Sequence, residues 1–280
     1  MIEHRPSRTA HRVALRRAAH QLWDKPRIFD DPVALKIIGD KAAAELAAAR
    51  QSDTRPARAL RAFLVARSRF AEDHLAQAVA GEVKQYVVLG AGLDTFAYRN
   101  PFNGLQVFEV DFPATQIWKR ELLAASGIDI PSSLTFTPVD FEKDTLADGL
   151  ANAGFKANEP AFFSWLGVTP YLAMVTVMST LKWIISACGQ NGVAFDYAVP
   201  RGSLSFFNRK AFDELAARVA AAGEPFIGFF DPPELARSMH GMGYKHIEDL
   251  GGDEINARYF ADRKDKLQVR GGLARLMCGF

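Results

Sequence analysis

From residue 55 to residue 80 the apolar side chains return at helical spacing, whereas from residue 85 onward they come in short runs. That change of period divides the chain into a helical front and an alternating remainder. In the front, residues 32–49 read as one helix opening at Pro32 and closing in an alanine-rich run. Asp53 or Thr54 is an N-cap for the next helix, Pro56 sits in its first turn and Gly81 ends it. Leu60, Phe63, Leu64, Phe70, Ala71, Leu75 and Ala78 form its apolar stripe, and the same spacing puts Arg67 and His74 on that face. In the remainder, residues 85–89, 105–110, 134–138, 161–166, 192–198, 246–250 and 273–278 read as strands. Helices are expected from Pro113 through Leu123 and over 142–153, 174–189 and 208–222, and an aromatic, proline-bearing loop spans 226–233 before another helix. Strand alternating with helix predicts an α/β fold.

The first strand runs straight into Gly90-Ala91-Gly92, then Asp94 and Thr95. Glycines at the first strand-to-helix turn of such a sheet let the backbone bend tightly and let a ligand approach where a side chain would block it. The second strand ends at Asp111, about twenty residues after Gly90, the place for a carboxylate that accepts from ribose hydroxyls. Taken alone, Gly-Ala-Gly is equally a tight turn; with Asp111 it becomes a cofactor site. A dinucleotide fingerprint would put a third small residue at position 95, where this chain has Thr95 preceded by an acid. A carboxylate repels a pyrophosphate but pairs with an ammonium or a sulfonium. The turn therefore favours S-adenosylmethionine over NAD.

Three segments together, Val87-Val-Leu-Gly-Ala-Gly-Leu-Asp-Thr95, Phe108-Glu-Val-Asp-Phe-Pro113 and Trp165-Leu-Gly-Val-Thr-Pro-Tyr171, resemble the leucine carboxyl methyltransferase-like family of class I S-adenosylmethionine-dependent O-methyltransferases, and its bacterial branch most of all. The likeness runs from Arg27-Ile-Phe-Asp-Asp-Pro-Val-Ala34 to the last strand. It implies a Rossmann-like sheet of seven strands, ordered 3-2-1-4-5-7-6 with the last antiparallel, helices on both faces and an N-terminal helical cap. Residues 1–80 would be that cap, within one domain, and 81–280 the core with acceptor-lid insertions. The resemblance gives Arg67 the methionine carboxylate, the Gly90, Ala91 and Gly92 turn and Asp111 the rest of the cofactor, and Asp140 and Phe141 the adenine. Read from the residues alone, Arg67 on a buried stripe needs an acidic partner, which is the cofactor's carboxylate or a nearby Asp or Glu. Asp140, likewise, is also a cap for the helix from Glu142. One departure stands out: Leu166 occupies the place where eukaryotic members carry an acid, which weakens any claim to their protein substrate.

Composition narrows the partners. At 280 residues, 49% hydrophobic and 24% charged, the chain can bury one large core, and a net charge of +2 does not suggest a broad nucleic-acid footprint. No run of about eighteen apolar residues predicts a membrane span. Cys188 and Cys278 form no metal spacing, and a reducing cytoplasm is the expected compartment. Arg5, Arg8, Arg12, Arg16 and Arg17 among alanines share the composition of a mitochondrial presequence, but Glu3 and the patterned continuation favour a native helix covering the site. Methyl transfer from a sulfonium needs alignment and exclusion of water more than acid-base help. A carboxylate acceptor is already ionised at neutral pH, whereas a phenol, near pKa 10, needs a base. His74, Tyr171, Tyr197 and His240 are base candidates, each with a structural reading beside it, so no catalytic residue is singled out. The expectation is a methyltransferase acting on a carboxylate or hydroxyl of a small molecule. The alternatives are a cofactor-binding protein without catalysis and an NAD-dependent oxidoreductase.

Overall fold

The structure, a computed structural model, describes residues 8–140, 144–188, 190–221, 223 and 225–280. The front folds as α1 (Arg8–Trp23), α2 (Val33–Ile37), α3 (Asp40–Ala48) and α4 (Arg55–Ala80). The single helix expected over 32–49 is broken: Gly39 takes φ +81°, which a helix cannot continue through, and separates α2 from α3. α4 follows its caps, with Thr54 Oγ1 accepting from Ala57 N at 3.4 Å and Gly81 at its end. Phe63, Leu64, Phe70, Ala71, Leu75 and Ala78 are buried along its stripe, together with Arg67 and His74. Leu60, by contrast, is exposed.

What occupies the interior at that end of α4 is Arg61. It is 1% exposed, with Nε and Nη2 donating to the Asp24 carboxylate at 2.7 and 2.9 Å and Nη1 and Nη2 donating to Asp53 at 2.8 Å each. The planar guanidinium fork suits two carboxylates approaching edge-on. Through it, the residue following α1 and the loop before α4 are tied to α4. His20 Nδ1 donates to Asp24 at 2.8 Å, while His20 Nε2 accepts from Ile28 N, which fixes the ring's tautomer.

Beyond α4 come β1 (Gln85–Leu89), β2 (Gln106–Asp111), α5 (Pro113–Ala125), β3 (Leu134–Pro138), α6 (Leu146–Asn152), β4 (Ala161–Trp165) and α7 (Met174–Cys188). The chain continues through β5 (Gly192–Ala198), α8 (Phe206–Ala221), α9 (Pro232–Met242), β6 (Ile247–Leu250), α10 (Gly252–Tyr259) and β7 (Ala274–Gly279). The seven strands lie in the order β3-β2-β1-β4-β5-β7-β6. β1 to β5 are mutually parallel, and β7 is antiparallel to both β5 and β6. All five residues of β1 and of β4 are buried, as in a sheet covered on both faces. Tyr86 and Val88 join the core under α4, while Val87 and Leu89 join the opposite core with Leu181 and Met239 from α7 and α9.

Two expectations need correction. No α-helix follows β1; the chain turns through a short 3₁₀ helix, Phe96–Arg99, before β2. The helix expected over 142–153 begins at Leu146, because Thr145 caps it by accepting from Asp148 N at 3.1 Å. Thr145, and not Asp140, is therefore the cap of this helix. α10, which no pattern in the sequence singled out, lies between the last two strands.

Breaking the Arg61 cluster leaves the buried Asp24 carboxylate and the half-buried Asp53 carboxylate without their cation, so Arg61→Ala is expected to lose about 3–5 kcal/mol of stability in urea unfolding. Burial pushes the Asp24 carboxyl up, yet the hydrogen bonds from His20 and Arg61 outweigh it and hold it at about 2. A depressed carboxyl contributes stability above its unfolded value, lost as pH falls from about 4 toward about 2. The parent should accordingly lose about 2 kcal/mol more over that interval than Asp24→Asn does, measured by unfolding at the two ends.

Candidate functional site

The turn after β1 is built from backbone that only glycine adopts readily. Gly90 and Gly92 have φ of +67° and +49°. Gly90 N and Ala91 N donate to Val110 O at 2.8 and 3.0 Å, and Gly92 N donates to Asp111 Oδ2 at 2.5 Å. The turn is thus laced to the end of β2. It is also tightly covered. A Cβ on Gly90 would lie 2.3 Å from Val168 Cγ2, in the loop after β4, and one on Gly92 would lie 3.0 Å from Ala10 Cβ of α1.

Asp111 Oδ1 accepts from Phe112 N at 2.7 Å. Burial pushes its carboxyl up, while the Gly92 and Phe112 N–H groups, then Lys119 and Thr115, pull the other way. Two carboxylate oxygens offer about four acceptor positions, so these donors do not exhaust the Asp111 carboxylate. Behind it, Glu109 and Lys119 form an ion pair at 2.6 Å, each 1% exposed, joining α5 to β2. Burial raises the Glu109 carboxyl, and Lys119 opposes the rise.

Arg67 reaches the same edge of the sheet from α4. The acidic partner its burial demanded is Asp196 of β5, whose Oδ2 accepts from Arg67 Nη1 at 3.0 Å while Oδ1 accepts from Gly167 N at 2.5 Å. A Cβ on Gly167 would meet Nη1 and Nη2 at 2.7 Å, so the guanidinium lies flat against that glycine. Asp196 was missed from sequence, although an acid inside the apolar run 192–198 was the available signal. Gly167–Val168 therefore connects the two halves of the site, with Arg67 against Gly167 and Gly90 against Val168.

Asp140 stands just past β3, where its N donates to Asp144 Oδ2 at 3.1 Å and its carbonyl accepts from Asp144 N at 2.7 Å. The neighbouring Val139 N donates to Asp111 O at 3.0 Å, which keeps that loop beside Asp111. Phe141 lies outside the described residues. Gly90, Ala91, Gly92, Asp111 and Asp140 thus gather at the carboxyl ends of β1 to β3, and Arg67 at those of β4 and β5.

The base candidates separate. His74 binds Phe70 O at 2.9 Å and Glu248 at 3.0 Å, near Phe280 and the opposite edge of the sheet. His240 donates to Tyr244 O at 2.8 Å beside the same edge. The Tyr197 hydroxyl donates to Asp249 at 3.0 Å, and burial raises it well above the ordinary phenol range. Tyr171 remains near the site, its ring 5.3 Å from that of Phe226. Trp165, at the end of β4, is buried in the core. The loop that carries Phe226 is pinned, as Ile227 N and Gly228 N both donate to Pro170 O, at 2.8 and 3.0 Å. Ile227, Met174 and Val175 are exposed around it and give this lip an apolar surface. Among the described residues, no group of three or more His, Cys, Asp or Glu side chains could hold a metal ion, and no helix is long and apolar enough to cross a membrane.

With this geometry in place, similarity to known proteins is informative. Residues 10–185 match the family model described as leucine carboxyl methyltransferase. The chain is 34% identical to the Bacillus subtilis (strain 168) protein named "Putative S-adenosyl-L-methionine-dependent methyltransferase YktD", covering 96% of each. It is 33% identical to a protein of Saccharopolyspora erythraea with the same description, covering 94% of this chain and 92% of that one. In fold it is similar to a crystal structure from Thermobifida fusca YX described as a "putative methyltransferase", with TM-score 0.58, 15% identity and coverage of 99% and 96%. A protein of the duf574 family from Streptomyces avermitilis has TM-score 0.53 at 14% identity, covering 94% of this chain and 98% of its own.

Gly90→Ala combines left-handed strain with the Val168 collision, and is expected to cost about 2–5 kcal/mol in urea unfolding. Adding Val168→Ala removes the collision but not the strain. The double variant should recover part of the loss; full recovery would mean that the positive φ carries no weight.

Proposed function

The chain belongs to the leucine carboxyl methyltransferase family, and from that premise we propose that it transfers a methyl group to an oxygen of a small-molecule acceptor, a carboxylate before a hydroxyl. It is an S-adenosylmethionine-dependent methyltransferase. The observation that carries the site assignment is the pairing across Val168: an acid-bound glycine turn on one side and a buried arginine on the other. Arg67 would bind the cofactor's carboxylate, Gly90, Ala91 and Gly92 its amino-acid and ribose portions through the backbone, and Asp111 the ribose hydroxyls. Asp140 and Phe141 would meet the adenine. The residues fit this cofactor chemically, because the turn leaves no room for side chains and faces carboxylates, not the phosphate-binding helix N-terminus that a dinucleotide needs.

When bound, the cofactor supplies a methyl group on a positively charged sulfur, which departs with the bonding pair as the acceptor oxygen attacks. What remains for the chain is to hold that group in line with the acceptor and keep water out. A carboxylate acceptor fits the available residues because His74, His240 and Tyr197 are each bound elsewhere by a partner of their own. With an ordinary pKa of about 4, such an acceptor presents its nucleophilic oxygen without a base. The apolar lip of Ile227, Met174 and Val175 suits an acceptor with an apolar body. We read residues 1–80 as the cover over the site and the pinned loop around Phe226 as part of the acceptor lid, within one domain. Cys278, buried and free, is consistent with residence in a reducing cytoplasm.

Calorimetric titration tests the cofactor reading. S-adenosylmethionine and S-adenosylhomocysteine should both bind and NAD should not, while Arg67→Ala and Asp111→Asn should each weaken the two sulfur ligands about tenfold or more. Binding of NAD alone, or of none of the three, would overturn the assignment. The acceptor reading is tested separately with a panel of carboxylic acids and phenols. A methyl ester releases methanol in mild alkali and a methyl ether does not, so alkali-stable products alone would replace the carboxylate by a hydroxyl.

A further inference from the structure

Under the glycine turn lies a set of charges that the cofactor contacts named above do not use. Asp31, fully buried, accepts from Thr95 Oγ1 at 2.8 Å on both of its oxygens and from Ala34 N at 3.1 Å. Two guanidiniums flank it, Arg17 Nε at 3.5 Å and Arg99 Nε at 3.4 Å, and neither of these buried N–H groups completes a hydrogen bond. The other arms of both arginines are occupied. Arg17 Nη2 donates to Leu93 O at 2.5 Å, and Arg99 forks onto Glu72. Asp94 stands at the side of this set nearest the turn. Its Oδ1 caps Phe96 N at 2.8 Å, but among the described residues its Oδ2 has only a long contact, 3.4 Å, with Arg17 Nη1, and the side chain keeps 21% exposure.

The charges do not balance. Asp31, Glu72 and Asp94 face two cations, Arg17 and Arg99, so three negative charges meet two positive ones and leave one in excess. Arg99 forks onto Glu72, and Thr95 with both guanidiniums surrounds Asp31, so the excess falls on Asp94, which stands beside the turn with its N donating to Ala91 O at 2.7 Å. Arg67, the proposed seat of the cofactor's carboxylate, lies one loop away across Gly167–Val168 and Gly90. An α-amino acid carries its ammonium and its carboxylate on one carbon, and a site with a cation on one side of the turn and a surplus anion on the other is complementary to both.

We infer that the Asp94 carboxylate receives the α-ammonium of the cofactor, and that Asp31 is a positioning residue that draws Arg17 inward and leaves Asp94 available for it. This rests on the methyltransferase reading above. Thr95 has its part here as well: its hydroxyl on Asp31 fixes the backbone immediately after Asp94.

The test compares two ligands by calorimetry. S-adenosylhomocysteine carries the ammonium, whereas 5′-methylthioadenosine has the same adenosyl thioether without the amino-acid end. In Asp94→Asn, which retains an oxygen to cap Phe96 N, S-adenosylhomocysteine should bind about tenfold more weakly or worse while 5′-methylthioadenosine changes less than about twofold. Asp31→Asn should shift the same ligand selectively and by less. Thr95→Val, of nearly equal size, reports on the same cluster should Asp31→Asn fail to fold, and Thr95→Ser should restore the parent behaviour. Equal loss of both ligands would mean that Asp94 only holds the loop in shape, and unchanged S-adenosylhomocysteine binding would mean that the ammonium sits elsewhere; either overturns the inference while leaving the methyltransferase reading intact. A parent protein that binds no S-adenosylhomocysteine would instead defeat that reading, and this inference with it.

Discussion

Three successive backbone N–H groups, those of Gly90, Ala91 and Gly92, all point at the end of β2, two at a carbonyl and one at the Asp111 carboxylate. The chain can do this only where it passes through the left-handed region twice within three residues, and only with no Cβ between Val168 on one side and Ala10 on the other. Most of the remaining architecture holds that turn in place. Beneath it Thr95 is anchored on Asp31, above it α1 closes over Gly92, and beside it the loop after β4 supplies Val168. An α-helix directly after β1 would have exposed N–H groups to a phosphate; the 3₁₀ turn and its carboxylates present the opposite polarity.

Buried charge does much of the positioning. Arg61, Arg67, Arg17 and Lys119 are each nearly excluded from water, and each meets a carboxylate from a different element. Such pairs are weak evidence of stability, because desolvation offsets much of their attraction. Their value is directional. An unpaired partner would be so costly that the elements carrying the charges have few alternative arrangements. Glu109 with Lys119 sets α5 against β2, which determines where Asp111, two residues farther on, leaves the sheet. Arg67 with Asp196 sets α4 against β5 and the Gly167 turn, and Arg61 sets the residue following α1 and the loop before α4 against α4.

Local signals were legible wherever one short segment carries the whole cause. The apolar runs of the strands, the Thr54 cap and Gly81 stop of α4, the glycines at 90 and 92 and the acid at 111 each depend on neighbours within a few residues, and the strand order came from resemblance to a family sharing those motifs. Illegible were features in which a distant partner decides. Gly39 breaks a run that propensity alone would continue, Thr145 displaces Asp140 as the helix cap, and Leu60 yields the interior to Arg61 because Asp24 and Asp53 lie there to receive it.

The sequence by itself determined the fold class, the position of the glycine turn and its acid, and the polarity that prefers a cationic cofactor to a pyrophosphate, since these follow from backbone sterics and charge within a single segment. Only the tertiary structure decided which carboxylate neutralises Arg67, that Asp31 gathers Arg17, Thr95 and Arg99 beneath the turn, and that His74 and His240 stand away from it at the other edge. Those outcomes depend on the pairing of distant residues, 129 positions apart for Arg67 and Asp196, and the low dielectric of the interior, where a charge must find its partner, is a property of the assembled core and of no segment within it.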